Sequence, residues 1–285
     1  MTGPRLSVVM ACHNGLPHLR AQLEALMQQR PPFDWELIVV DDRSTDASAQ
    51  VAGEYVGRIG SMRIEPGEGR GQGAARNLGV ARSRGEALVF VDQDDVVGAG
   101  YLAAMAGALD THELVAARMD LERLNADWVR AGRIPAQAQG LGVDFLPWAY
   151  GATLGARRSL FEQLGGFRDF GGAAEDIDFC WRAQLGGAEL FLEDAAVLHY
   201  RLRDTPADLF RQGRTYGRAG AQLFKEYRSV GMHRYSVGRA LRSWLAIGRL
   251  AMTARSRSDR ARLAFALGRR LGCLEGSIRF RVAFL

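Results

Sequence analysis

Short apolar runs alternate with segments of helical period through the first two hundred residues of the chain. Runs of strand length with few polar interruptions lie at 6–12, 36–40, 62–64, 87–91 and 114–117. Segments with apolar side chains at helical spacing lie at 17–29, 45–56, where we expect Ser44 to cap the helix, and 74–84. Near-continuous apolar runs are typical of buried parallel strands. Their alternation with helices predicts an α/β fold with an open, doubly wound, mostly parallel sheet.

The pattern changes near residue 200. Long helical segments such as 206–228 and 236–254 follow, with arginines beside leucines and aromatic residues and without a strand pattern. We therefore predict two domains, an α/β domain over 1–204 and a basic helical region over 205–285. The stretch 254–262 is rich in Arg and Ser, and we expect it to be an exposed linker between helices.

The composition is that of a globular chain. Its 285 residues are 47% hydrophobic and 24% charged, which excludes a disordered chain. The 3 cysteines are too few for a disulfide framework, so a reducing cytoplasm is expected. The first apolar run stops after seven residues, at His13, and no run reaches eighteen, so neither a leader peptide nor a membrane span is expected.

Charge is distributed unevenly between the two predicted parts. Residues 1–199 hold 18 basic against 27 acidic residues, whereas residues 200–285 hold 19 against 5. Two interpretations of the basic helices stay open: they pack on the acidic body, or they attach to anionic lipid at the cytoplasmic face of a membrane. Nucleic acid is not an expected partner, because no nucleic-acid-binding module is recognisable.

Polar clusters follow three of the predicted strands, at 13–15, 41–44 and 92–95. In a doubly wound sheet these positions meet at the edge where ligands bind. Three carboxylates within four residues, Asp92, Asp94 and Asp95, repel one another unless a cation neutralises them. Such oxygen ligands suit Mg²⁺ or Mn²⁺. The alternative is a solvated turn that caps the next helix.

Asp41 and Asp42 can accept hydrogen bonds from a nucleobase or a ribose, although Ser44 and Asp46 in the same cluster are explained by helix capping alone. The glycine-rich stretch 67–79 opens a helix and carries Arg70 and Arg76, which suits a diphosphate. It is not a Walker A loop.

Two further sites carry candidate chemistry. Glu175 and Asp176 begin a predicted helix, where acidic residues favour the helix dipole, but a carboxylate there can also act as a general base. His199 ends a strand-like run. It is either a structural histidine or a residue that completes a metal site or contacts phosphate.

Seven segments occur in an order that resembles the family-2 inverting glycosyltransferases of GT-A fold. They are SVVMACHNG, IVVDDRSTD, GQGAARNLGVARSRGE, ALVFVDQDD, GATLGARRSLFEQLGGF, EDIDFCWR and VLHYR, spanning about residues 5–202. The resemblance implies a nucleotide-diphospho-sugar donor, with UDP as the default nucleotide. It also implies a divalent metal and a single displacement that inverts the anomeric carbon of the sugar.

The resemblance also implies roles for individual residues. Contact with the nucleobase is implied for Asp42, with Asp41 as a further candidate, and contact with the base or the diphosphate for Arg76. Asp92 and Asp94 match the DxD motif of the family, with Asp95 as an alternative metal ligand, and His199 matches a histidine that joins the metal in some members. The role of catalytic base is implied for Asp176, beside Glu175. We also expect Asn14 and Arg70 to contact the donor. Cys12 and His13 depart from the commonest family pattern. The region 118–148 matches no known acceptor motif, so a glycan, a lipid-linked and a small-molecule acceptor stay open.

Two other classes of function compete with an active transferase. The chain could be a non-catalytic nucleotide-sugar binding module or a peripheral membrane scaffold. Such a protein, however, needs neither metal-binding residues nor a catalytic base, and this chain has candidates for both. A nucleotidyltransferase would need a basic loop after the first strand, and the residues from His13 to Leu16 do not supply it.

Overall fold

The computed structural model describes residues 3–234 and 236–284, and their strands form one large sheet and one small one. The strands are β1 Leu6–Cys12, β2 Trp35–Asp41, β3 Ser61–Pro66, β4 Ala87–Asp92, β5 Val96–Val97, β6 Leu114–Asp120, β7 Gly142–Val143, β8 Pro147–Trp148, β9 Leu154–Arg157 and β10 Leu190–His199. The helices are α1 Leu19–Met27, α2 Ser48–Gly53, α3 Gln72–Arg82, α4 Tyr101–Leu109, α5 Asp127–Gly132, α6 Arg158–Gln163, α7 Glu175–Leu185, α8 Pro206–Tyr227, α9 Val237–Thr253 and α10 Arg257–Phe280.

The large sheet has eight strands among the described residues, in the order β3-β2-β1-β4-β9-β6-β10-β5. The pairs β1–β2, β1–β4, β2–β3 and β6–β10 are parallel. β9 runs antiparallel between β4 and β6, and β5 runs antiparallel to β10. The mostly parallel α/β sheet predicted from the sequence is therefore confirmed. Because β9 is antiparallel to both β4 and β6, these two strands point the same way, so the carboxyl ends of six strands (β1, β2, β3, β4, β6 and β10) meet at one edge.

The central strands carry the core. All seven residues of β1 are buried, and so are the five residues before Asp92 in β4. One face of the sheet packs on α1 and α4 through the large apolar cluster that includes Leu19, Leu23 and Met105. Strands buried on both faces need no alternation of polar residues, which is why the apolar runs located them in the sequence.

Two local predictions were wrong. Helix α2 begins at Ser48 behind Ala47 rather than behind Ser44, and the Asp46 carboxylate accepts the Ser48 N–H at 3.0 Å. Residues 257–262 form the first turns of α10 rather than an exposed linker. Ser256 and Asp259 form a capping box there, in which each side chain accepts from the other's backbone N–H. Such a cap starts a helix in spite of the many arginines that follow it.

The described chain divides into two compact units. The first unit comprises residues 1–124, 136–169 and 175–201, of which residues 1 and 2 lie outside the described ranges. It contains the large sheet. The second comprises residues 125–135, 170–174 and 202–285, again within the described range, and contains α5 and α8 to α10. The second unit thus includes two short segments from before the predicted boundary at residue 204.

Helices α8 and α10 of the second unit pack closely through glycines. A Cβ atom on Gly217 would lie 2.2 Å from the carbonyl oxygen of Arg269, and one on Gly272 would lie 2.0 Å from that of Arg214. Because a backbone atom cannot move away as a flexible side chain can, the two helices can approach this closely only where glycine stands.

We expect Gly272→Ala to lower the free energy of unfolding by about 3 kcal/mol, because the added methyl group overpacks the helix contact. The matched control is Gly248→Ala in α9, where the new Cβ would have no described atom within 4 Å apart from its chain neighbours and the backbone of its own helix. That change should raise stability by up to about 1 kcal/mol, since alanine favours helix over glycine. Urea unfolding followed by circular dichroism measures both, and equal effects would contradict the packing argument.

Among the described residues we find no helix that combines the length and the apolar composition needed to span a lipid bilayer.

Candidate active site

The ends of β1 and β4 are joined by a pair of hydrogen bonds. The His13 backbone N–H donates to Oε1 of Gln93 at 2.7 Å, and Nε2 of Gln93 donates to the His13 carbonyl at 2.9 Å. Nδ1 of His13 lies 2.9 Å from the carbonyl oxygen of Asp42 at the end of β2. The polar clusters predicted to converge on one edge of the sheet therefore do so.

Asp42 is buried and holds the glycine-rich loop. Its carboxylate accepts backbone N–H groups from Gly69 at 2.7 Å and Gly71 at 2.9 Å. The loop passes so close that a Cβ on Gly67 would lie 2.6 Å from Oδ1 of Asp42. Asp42 thus orders the loop that begins α3 and keeps acceptor capacity beyond these two bonds. Asp41 lies beside it, and its Oδ1 receives a long bond of 3.4 Å from the Ser44 N–H.

The two other predicted donor contacts have different surroundings. Oδ1 of Asn14 accepts the Thr45 N–H at 2.8 Å and the Asp46 N–H at 3.3 Å, so this side chain orders the turn after β2. Arg70 lies at the exposed tip of the glycine-rich loop, where its side chain is 71% exposed and 3.3 Å from Glu68. Arg70 can therefore meet a ligand from solvent, whereas Asn14 acts on the turn.

Asp92, Asp94 and Asp95 form the acidic cluster. One oxygen from each lies within 4.8 Å of the others. Asp95 is buried, and burial together with the charges of Asp94 and Asp92 raises its pKa well above the usual range. Its Oδ1 accepts the Arg201 N–H at 2.7 Å, while its Oδ2 has no hydrogen-bond partner among the described residues. A divalent cation would satisfy this oxygen and relieve the repulsion, so the donor set fits Mg²⁺ or Mn²⁺.

Arg76 joins the acidic cluster to α7. Its guanidinium is almost fully buried and donates to Oδ1 of Asp92 at 2.7 Å and to Oε1 of Glu175 at 3.3 Å. Burial alone would lower its pKa, but the charges of Asp92, Glu175 and Asp176 outweigh burial and raise it. Gln72 of the same helix donates to Asp92 at 2.6 Å. The Arg76 guanidinium therefore lies between the carboxylates of Asp92 and Glu175, which are 83 positions apart along the chain.

Asp176 is held by backbone groups on both of its oxygens. The Gly151 N–H donates to Oδ2 and the Ile177 N–H to Oδ1, each at 2.8 Å. Burial raises the pKa of Asp176, and the bond from Gly151 and the charge of Arg76 oppose that rise. Burial and the charge of Asp176 raise the pKa of Glu175 to about 7. The pair thus offers one fixed carboxylate beside one that gains or loses a proton near neutral pH.

We expect Glu175→Gln to flatten the dependence of stability on pH. Between pH 4.5 and about 7 the native protein holds a proton on Glu175 that the unfolded chain releases, so the free energy of unfolding falls as pH rises through this window. Glutamine stays neutral and removes that fall. Urea unfolding at pH 5, 6 and 7.5 tests this, and equal slopes for the two proteins would contradict it.

His199 belongs to the same edge but not to the acidic cluster. Its Nδ1 lies 2.6 Å from Oδ2 of Asp120, at the adjacent ends of β10 and β6. Burial alone would raise the pKa of Asp120, but hydrogen bonds from His199 and from the Glu122 and Arg123 backbones lower it. A carboxylate on Nδ1 orients an imidazole and makes Nε2 a better ligand. A cavity of about 530 Å³ opens beside this pair.

Several contributors escaped the sequence analysis. Gln72 and Asp120 bond to predicted site residues, and Gly151 supplies a backbone N–H to Asp176. Arg201 donates through Nε to the carbonyl oxygen of Asp94 at 2.8 Å and so braces the acidic cluster. In the sequence, Arg201 is marked only by its position two residues after His199, at the end of the segment VLHYR. Gln72 and Gly151 lie within two of the seven family-like segments, which assign neither of them a role, and Asp120 lies outside these segments.

The chain matches the sequence profile of "Glycosyl transferase family 2" over residues 7–165. It is 31% identical over 111 residues to the poly(ribitol-phosphate) beta-N-acetylglucosaminyltransferase TarS of Staphylococcus aureus, a match that covers 38% of this chain and 19% of TarS. It is 26% identical over 266 residues to the pre-mycofactocin glycosyltransferase of Mycobacterium tuberculosis, covering 86% of this chain and 54% of that protein. The chain thus spans less than two thirds of either relative.

Solved structures share the fold at low sequence identity. The crystal structure of TarS residues 1–349 in complex with UDP-GlcNAc aligns with a TM-score of 0.59 and 19% identity, covering 99% of this chain and 93% of that one. The mannosyltransferase PcManGT from Pyrobaculum calidifontis, in complex with GDP-Man and Mn²⁺, aligns with a TM-score of 0.64 and 18% identity, covering 95% and 87%. The GT-A fold expected from the sequence is thereby confirmed.

Proposed function

Because this chain belongs to glycosyl transferase family 2, we propose that it transfers a sugar from a nucleotide-diphospho-sugar to a hydroxyl group of an acceptor. The observation that carries the proposal is the guanidinium of Arg76. It bonds both to Asp92 of the acidic cluster and to Glu175 beside Asp176. A site for the donor diphosphate and a candidate general base therefore adjoin one another, as a single displacement requires.

Asp176 acts as the general base in this proposal. The backbone donors from Gly151 and Ile177 fix both of its oxygens, so the carboxylate has one orientation. It takes the proton of the acceptor hydroxyl as the oxygen attacks the anomeric carbon of the sugar. The nucleoside diphosphate leaves from the opposite face, and the anomeric carbon is inverted.

Asp92, Asp94 and Asp95 would hold a divalent cation, Mn²⁺ or Mg²⁺, with His199 as a further ligand. Bound there, the cation would neutralise the negative charge that develops on the leaving diphosphate. The unpartnered Oδ2 of Asp95 supports this assignment. Arg70 and the backbone of the glycine-rich loop would contact the diphosphate, and Asp41 and Asp42 the base.

UDP is the nucleotide that we propose first, with GDP and dTDP as the alternatives. TarS is described with UDP-GlcNAc and PcManGT with GDP-Man, so both bases are compatible with this fold. The three cysteines are free and buried, which supports a reducing compartment such as the cytoplasm.

A thermal-shift panel of UDP, GDP and dTDP, with and without Mn²⁺, tests the proposal. At a hundredfold excess over its Kd, the correct nucleotide with Mn²⁺ should raise Tm by about 5 °C or more. Asp94→Ala should abolish the part of the shift that needs Mn²⁺. A Tm that stays constant with every nucleoside diphosphate would contradict the proposed donor class.

A further inference from the structure

Helix α9 of the second unit presents a row of large apolar side chains to solvent. Val237, Leu241, Leu245 and Met252 are 58%, 60%, 63% and 81% exposed. At 100° per residue they occupy an arc about 80° wide on one side of the helix. The buried residues of α9, Ala240 and Ile247, lie about 110° around the helix from the centre of this arc. We call the four exposed residues the α9 stripe.

The neighbouring helix also exposes large apolar side chains. α9 packs on α10, where the Arg270 guanidinium lies 5.9 Å from the centroid of the Trp244 ring. One to two helical turns beyond Arg270, α10 carries Leu274, 36% exposed, and Ile278, 81% exposed. Exposed large apolar side chains that are concentrated on two packed helices indicate an interaction site, whereas singly scattered ones are found on any protein.

Charge indicates what this surface contacts. Residues 228–257 contain seven arginines and no acidic residue. Three of these, Arg239, Arg242 and Arg249, lie on α9 and are exposed. By helical spacing Arg242 and Arg249 border the α9 stripe on one side, and Arg239 lies further around the helix. An apolar stripe bordered by arginines matches a lipid surface, in which anionic headgroups lie directly above hydrocarbon.

We propose that α9 binds the surface of an anionic lipid bilayer, with the α9 stripe inserted among the acyl chains and its arginines on the headgroup phosphates. The helix lies in the plane of the interface and does not cross it. This inference stands on the second unit and does not depend on the proposed sugar transfer.

Cosedimentation of the full chain with vesicles tests the proposal without any activity measurement. The protein should sediment with vesicles that contain phosphatidylglycerol, remain in solution with pure phosphatidylcholine, and be released as salt is raised, because salt screens the headgroup charge. Leu241→Gln/Leu245→Gln should lower the partition coefficient at least about tenfold. Arg242→Glu/Arg249→Glu should lower it at least about thirtyfold.

The matched control is Val56→Gln/Ile134→Gln, which removes two residues of similar exposure, 50% and 63%, outside the α9 stripe. It should sediment as the unchanged protein does. Because all these positions are exposed, the variants should fold, and their far-ultraviolet circular dichroism should be unchanged. Absence of sedimentation with both vesicle types, or equal sedimentation with both, would overturn the proposal. So would a self-associating chain that Leu241→Gln/Leu245→Gln renders monomeric without any vesicle binding.

Discussion

Replacing Asp176 by asparagine is expected to lower kcat about a thousandfold, while the Kd for the donor nucleotide changes less than about threefold. Asparagine keeps the size of the side chain but cannot take a proton from the acceptor hydroxyl, and a positioned general base typically contributes a factor of this order. In the proposed mechanism, donor binding depends instead on the acidic cluster and the glycine-rich loop. The variant should therefore separate catalysis from binding.

The measurement is a steady-state assay of the variant together with a thermal shift by the nucleotide and Mn²⁺, which reports folding and donor binding in the same sample. Asp178→Asn serves as the contrast in the same helical turn. Asp178 is fully buried and bonds to Arg168 and Arg182, so its loss should lower Tm and leave kcat within a few-fold. Activity of Asp176→Asn within tenfold of the unchanged protein would remove Asp176 from the role of base.

The position of the acidic cluster could be predicted from the sequence because it depends only on residues that are neighbours along the chain. An apolar run of strand length ends at Asp92, and parallel strands bring their carboxyl ends to one edge. The same reasoning placed the clusters after β1 and β2 at that edge. It required no knowledge of which strands are neighbours, only that they are parallel.

The order of the strands was not predictable in the same way. β9 has only four residues, Leu154–Arg157, and its reversed direction between β4 and β6 depends on pairings with residues about 70 and 40 positions earlier. A run of four residues has no periodicity that distinguishes a strand from a loop. Its place follows from tertiary pairing alone.

Side-chain partners at the site had no local signal either. The sequence assigned Asp42 and Asn14 to the donor, yet the structure shows Asp42 bonded to the loop amides and Asn14 to the turn after β2. Asn, Asp and backbone N–H groups pair readily over short distances in turns. A polar residue after a strand therefore indicates the edge of the sheet, but not whether it meets a ligand or another segment of the chain.

Arg76→Gln is expected to lower kcat at least about a hundredfold and the free energy of unfolding by about 3 kcal/mol or more. The buried guanidinium is the cation between Asp92 and Glu175, and removing one partner of a buried ion pair leaves uncompensated charge. Without it the carboxylates also repel one another more strongly, which raises the pKa of Glu175 further. Arg76→Lys should recover only part of the loss, since an ammonium group cannot bond to two carboxylates in the fixed geometry of a guanidinium.

Helix α3 provides the matched control for Arg76. Arg82, in the last turn of the same helix, is 60% exposed and lies 3.7 Å from Glu65. Arg82→Gln removes the same charge from the same helix but only a surface pair, so stability and kcat should hardly change. Urea unfolding and kcat measured from pH 6 to pH 9 compare the two variants. If Arg76→Gln changed the free energy of unfolding and kcat as little as Arg82→Gln, the charge of Arg76 would not couple the acidic cluster to α7. The contacts of Arg76 would then no longer support the proposed transfer.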